Sequence, residues 1–283
     1  MRERLQRALP ALVGLILFFI ALEVLRRELH AVSWRTLSAT IAGMPPKVVL
    51  AALGLTLLNY TVLTAYDFIA FRSIGKRLPR LRVAGASFLA YAIANNVGFA
   101  MLSGASVRYR FYTRWGISGE DLSRIVISYS VTFWLGLHTL GGLSLMFSPL
   151  PEALGMPRQA AVLLGTVFVV ICAGYVIAAW LHRKPLRIRG FELRFPSARL
   201  ALLQVLVSSL DWALAGAIVY LLLPPSGASF PVVLSAFLAA QLLGLAAHVP
   251  GGVGVFEGMM VLLLKPYLTS MQLVPSLVAY RVI

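Results

Sequence analysis

Asp67, Asp211 and Glu257 are carboxylates in stretches of chain that are otherwise almost wholly apolar, and Arg108 and Arg110 are guanidiniums at the end of another such stretch. Asp67 stands in YDFIAF, with Asn59, Tyr60 and Tyr66 nearby, and Asp211 stands in the middle of a later apolar run. Gln204, Ser208, Asp211 and Ala215 recur at helical spacing and make one polar, small-residue stripe. A carboxylate at the bilayer centre costs at least about 2.5 kcal/mol on insertion scales, so each needs a partner or a water-filled cavity. Arg108 and Arg110 are the cationic candidates. A carboxylate–guanidinium site can receive a cationic headgroup together with its phosphate; the same residues can equally be an ion pair that locks helices. The stripe around Asp211 favours the first use, whereas for Asp67, nearer an interface, the two stand level. Glu257 follows Gly252-Val253-Gly254 at the start of a new helix, where free N–H groups and the helix dipole stabilise a carboxylate. Satisfying that helix end is its simpler role, and contact with a headgroup amine is the alternative.

Other chemistry is sparse. His138 lies on a Ser128, Thr132, Gly136, Thr139 stripe, and His248 shares a face with Gln241 and Gly244. Neither has a second histidine at metal spacing, so both are expected to form interhelical hydrogen bonds rather than hold a metal. A single cysteine, Cys172, excludes a disulfide framework and a thiolate metal site. There is no nucleotide-binding glycine motif, HExxH or GxSxG, and no cofactor is implied.

The elements that must carry these residues are membrane helices. The 283 residues are 59% hydrophobic and only 12% charged, with a mean hydropathy of +0.85, far from the quarter charged of a soluble domain. The net charge of +15 lies in short connections between apolar runs; that is the positive-inside pattern and an attraction to anionic lipid, not a nucleic-acid surface. Runs of about spanning length fall at 9–25, 48–71, 83–102, 122–147, 160–181, 200–223 and 232–249. The first follows Arg2, Arg4 and Arg7 without a small-residue cleavage site, so it reads as a retained span. Residues 32–44 are shorter and mixed, fit for the interface. Ser118 followed by Gly-Glu-Asp is a helix start, and LRIRGFELRFP at 186–196 alternates about a glycine as a small β-hairpin.

Two runs are broken. Residues 83–115 pass through Asn95, Asn96, Gly98 and Gly104, and residues 235–264 pass through Pro250-Gly251-Gly252. If every run crosses, the loops on the two sides hold nine and fourteen basic residues; if 83–115 enters and leaves on one side, they hold eighteen and five. The orientation rule favours the second arrangement, with the N-terminus cytoplasmic. The first broken segment then starts inside and the second outside, as inverted repeats would, and such pairs mark binding sites in transporters. Two glycine-rich packing corners are the plainer alternative. The expected fold is an all-α polytopic membrane protein, one domain over 1–283, with seven to eight membrane helices including the two re-entrant segments. From Met271 only 13 residues remain, about 20 Å of helix and short of a span, so the sequence reads as the front part of a longer protein.

YDFIAF (66–71), AYAIANNVGFAMLSGASVRYRFY (90–112), LRIRGFELRFPS (186–197) and HVPGGVGVFEG (248–258) resemble the N-terminal membrane region of the multiple peptide resistance factor (MprF) family. Its members are bacterial lysyl- or alanyl-phosphatidylglycerol synthases and flippases. The resemblance covers essentially the whole chain. It implies a flippase region in the bacterial inner membrane that moves aminoacylated phosphatidylglycerol to the outer leaflet and lowers binding of cationic antimicrobial peptides. The family's acidic and arginine positions fall on Asp67, Arg108 or Arg110, and Asp211. The implied partners are anionic and aminoacylated phospholipids, with no nucleic acid for this region; association into a homo-oligomer is left open. Transferase activity belongs in that family to a C-terminal soluble domain absent from these residues, so catalysis by this chain alone is not expected. Beside the flippase stand two other readings: the membrane part of a phosphatidylglycerol aminoacyltransferase, and a structural or regulatory membrane scaffold.

Overall fold

A computed structural model describes residues 23, 34–97, 100–148, 155–181, 186–188, 191–193, 195–247 and 249–283. The run at 9–25, residue 23 apart, with its preceding arginines, Gly98 and His248 lie outside the described residues. Helices follow the apolar runs: α1 (Trp34–Ala42), α2 (Pro46–Ser73), α3 (Arg80–Val97), α4 (Ala100–Arg114), α5 (Gly119–Phe147), α6 (Arg158–Leu181), α7 (Ala198–Leu222), α8 (Phe230–Ala246), α9 (Val255–Leu264) and α10 (Ser270–Val282). β1 (Leu186–Ile188) and β2 (Phe191–Leu193) pair antiparallel, Leu186 opposite Leu193, as the alternation predicts.

Among the described residues α2, α5, α6 and α7 are long and apolar enough to cross a membrane, at 28, 29, 24 and 25 residues. Their outward faces carry exposed Leu50, Leu57, Leu163, Val170 and Trp180. In water such surface would be untenable; against lipid it costs nothing. The helix starts are local: Pro46 opens α2 without needing its missing N–H, and Ser118 Oγ accepts from Asp121 N at 3.1 Å ahead of α5.

The two broken segments fold as helix pairs. α3 and α4 pack along each other, ending at Val97 and resuming at Ala100. Both ends of the pair lie at one end of the bundle. Lys76, before α3, pairs with Asp121, after α4, at 3.3 Å, and the Arg82 guanidinium sits 5.7 Å from the Trp115 ring. That is the re-entrant course the charge count favours. α8 and α9 form the second pair, joined by a 3₁₀ turn at Pro250–Gly252. Gly251, Gly252 and Gly254 have φ of 62°, 61° and 83° there, a conformation that only glycine adopts readily. Ser148, ending α5, donates to Pro231 O at 3.4 Å at the start of α8, and Ser276 of α10 donates to Leu222 O at the end of α7 at 2.8 Å. The second pair thus opens from the opposite end of the bundle to the first, and its Pro250–Gly252 turn touches α3.

The short α1 packs on α10. The stripe on α5 is a packing face: a Cβ at Gly136 would lie 2.4 Å from the Ser208 backbone of α7. Gln204 Nε2 donates to Thr132 Oγ1 at 2.9 Å, while Tyr175 of α6 donates to Gln204 Oε1 at 2.7 Å. Among the described residues the expected interhelical hydrogen bond of His138 is not formed. Its Nδ1 lies 2.8 Å from Trp134 O, one turn back on its own helix, and its ring instead packs on Phe168 of α6 at 4.7 Å. Helix-interior carbonyls one turn back are always in reach of such a side chain; a partner on another helix is not. Gly136→Val should force α5 and α7 apart and lower stability by about 1–3 kcal/mol. Gly141→Ala, where nothing lies within 4 Å, should not; thermal unfolding in detergent compares the two.

Candidate functional site

The C-terminal half of α2 turns inward. Leu63, Tyr66, Asp67, Ile69, Ala70 and Phe71 are buried there, while in its first half only Ala52 is. Asp67, six residues and about 9 Å before the helix end, is fully buried, as is Arg108 of α4. The two meet side-on: Arg108 Nε donates to Asp67 Oδ1 at 2.8 Å and Nη2 donates to Oδ2 at 2.7 Å. Ser87 of α3 donates to Oδ2 at 2.7 Å and Tyr112 of α4 to Oδ1 at 2.8 Å, so the carboxylate accepts four hydrogen bonds. Arg108 Nη1 donates to Gly104 O at 3.3 Å. The guanidinium carbon lies 4.5 Å from the centre of the Tyr91 ring and 4.3 Å from that of Tyr129, so two aromatic faces flank the cation. Bidentate geometry and four donors on the carboxylate are what offset the desolvation of two charges.

Arg110 is not brought to this cluster. Two residues are about 200° of helix, so Arg110 points away from Arg108 and is exposed. Asn95 is exposed and Asn96 ends the α3 limb near its break. Gly104 has a clear role: a Cβ there would stand 3.1 Å from Arg108 Nη1 and 3.5 Å from Ala94 Cβ, so glycine lets the limbs close.

Asp211 forms a separate network. It is buried near the middle of α7, and Tyr66, the neighbour of Asp67 on α2, donates to its Oδ2 at 2.8 Å. Asn59 lies within hydrogen-bond reach. Among the described residues no ion pair involves Asp211; Arg108 is committed to Asp67 and Arg281 to Glu257. Glu257 takes the simpler role: its Oε2 accepts from Gly254 N at 2.7 Å at the start of α9, and its Oε1 accepts from Arg281 Nε of α10. Arg281 Nη1 also donates to Gly251 O at 2.8 Å, pinning the glycine turn. Sequence reasoning missed Ser87, Tyr112 and Arg281. Tyr112, four residues after Arg108 on one helical face, was within reach of a spacing argument; Ser87 and Arg281 carry no local signal.

Long lipid-facing helices, two opposed helix–break–helix pairs and buried carboxylates define a multi-pass helical membrane protein with an internal polar site. Residues 8–283 match the family described as the lysylphosphatidylglycerol synthase TM region, and the chain belongs to it. It is 34% identical over 284 residues to the uncharacterized protein slr0712 of Synechocystis sp., covering 99% of this chain and 88% of that one. It is 33% identical over 273 residues to the inner membrane protein YbhN of Escherichia coli, covering 94% and 85%. With the phosphatidylglycerol lysyltransferase of Staphylococcus haemolyticus it shares 27% identity over 210 residues, 72% of this chain but 24% of that one. The kinship with the membrane region of the MprF family thus holds, and two of these relatives are matched over most of their own length.

Either half of the central pair left alone is an uncompensated buried charge. Arg108→Ala and Asp67→Leu are each expected to cost about 3–5 kcal/mol, and Asp67→Leu with Arg108→Met to recover most of it. Arg108→Lys should not rescue, because an ammonium cannot bridge both oxygens. Unfolding of the four purified variants measures this.

Proposed function

We propose that the chain moves phosphatidylglycerol carrying an aminoacylated headgroup from the inner to the outer leaflet of the bacterial cytoplasmic membrane. Its N-terminus is then cytoplasmic, as the distribution of basic loops favours. Family membership supports a lipid of the phosphatidylglycerol class, since the staphylococcal relative is named phosphatidylglycerol lysyltransferase. The observation that carries the reading is Asp211: a carboxylate deep in a membrane helix, without a cation among the described residues, beside two re-entrant pairs that meet. Intramembrane carboxylates of this kind mark substrate or ion pathways, and the missing cation is what an aminoacyl ammonium supplies. Asp67 and Arg108 then hold the wall of the site, and Arg110, exposed near the end of α4, meets lipid phosphate at the interface. Moving cationic lipid outward would lower surface binding of cationic antimicrobial peptides.

The scaffold reading has one observation in its favour, the closure of Asp67 on Arg108 with every acceptor occupied. The two separate in cells that also make lysyl-phosphatidylglycerol. Labelling with a membrane-impermeant amine reagent should show outer-leaflet lipid falling, with Asp211→Asn, to the level of cells lacking the chain, while total lipid and chain abundance hold. Unchanged labelling would favour the scaffold.

A further inference from the structure

Asp211 is approached by hydroxyls and an amide. From α2 come Tyr66, its hydrogen-bond donor, and Asn59 within reach. From α3 comes Tyr91, which stands between the fields of Asp211 and of the Asp67–Arg108 pair, and from α10 comes Tyr280, with Arg281 beyond it bound to Glu257. α5 contributes Tyr129, against Arg108, and α6 contributes Tyr175, bound to Gln204 two turns away on α7. α8 carries no ionisable side chain.

Hydroxyl and amide donors alone leave an ionised carboxylate at this depth poorly compensated, and such a group neutralises instead. A neutral carboxyl brings a new O–H that must itself be accepted. The site contains that acceptor: among the described residues Asn59 Oδ1 is buried with no donor, and the Tyr91 hydroxyl is likewise buried without a partner. The two orientations of an amide exchange a donor for an acceptor at the same place. Asn59 therefore suits both forms of Asp211, giving N–H to the carboxylate or accepting O–H from the carboxyl.

We propose that Asp211 with Asn59 is a proton-binding site, occupied when no headgroup is bound and emptied when a cationic headgroup amine arrives, so that lipid and proton exchange. The step balances simply: the carboxyl releases its proton to water, and the resulting carboxylate pairs with the ammonium. The exchange rests on the translocation reading; proton occupancy does not.

Infrared spectroscopy of the purified full chain in nanodiscs separates them. At neutral pH the wild type should show the C=O stretch of a protonated carboxylic acid, absent in Asp211→Asn, retained in Asp211→Glu and shifted in Asn59→Leu. Its absence from the wild type, or persistence in Asp211→Asn, overturns the proton site. Nanodiscs containing lysyl-phosphatidylglycerol should lose the band, whereas those with phosphatidylglycerol alone should keep it; retention with the lysyl lipid overturns the exchange. A band that behaves as expected in a chain that moves no lipid in cells would retain the proton site and sink the translocation reading instead.

Discussion

A charge carried into a bilayer must bring its compensation with it, and the Asp67–Arg108 pair is where this chain meets that requirement most completely. Three helices converge on one carboxylate: α2 supplies it, α3 supplies Ser87, and α4 supplies Arg108 and Tyr112. Both limbs of the first re-entrant pair are thereby tied to a helix long enough to span. α3 and α4 are short and weakly apolar beside the spans, and lipid contact alone would not hold them at depth. The tyrosine faces on either side of the guanidinium add attraction without demanding another charge.

The second pair is fixed by different means. Glu257 completes the start of α9 and Arg281 reaches from α10 to that carboxylate and to Gly251 O. Here the re-entrant segment supplies the acid; in the first pair it supplies the base. Opposed entry thus does not extend to the chemistry of the anchors. The second lock is also more open, with the Arg281 side chain 32% exposed against 1% for Arg108.

Spans, caps and the β-hairpin were legible because their causes are local: apolar length, Ser118 ahead of two acids, alternation about Gly190. The re-entrant course of α3 and α4 was legible for a less local reason, since basic residues report which side a loop occupies, and Lys76 on Asp121 agrees. What could not be read is the rotation of one helix against another. Arg108 and Arg110 are equivalent by composition and adjacent by spacing, and only the packing of α4 on α2 and α3 makes one a buried ligand and the other a surface cation. The partner of Glu257 lies 24 residues away on a separate helix, so no periodicity points to it. His138 failed for the same reason in reverse, its own backbone satisfying what a neighbouring helix was expected to satisfy.

Adjacency on α2 gives the two carboxylate networks a shared mechanical element. Tyr66 faces Asp211 on α7, and Asp67, the next residue, faces Arg108 on α4. Consecutive helical residues are fixed about 100° apart, so α2 cannot rotate to release one contact without turning the other through the same angle. The four-fold bonded Asp67, with donors from α3 and α4, resists that rotation more than Asp211, which Tyr66 and Asn59 approach. Any rearrangement that frees Asp211 for a ligand must therefore move α7 or the tyrosine side chain and leave α2 in place. The stiff pair sets the frame, and Asp211, which pairs with no cation among the described residues, is the less firmly held of the two carboxylates.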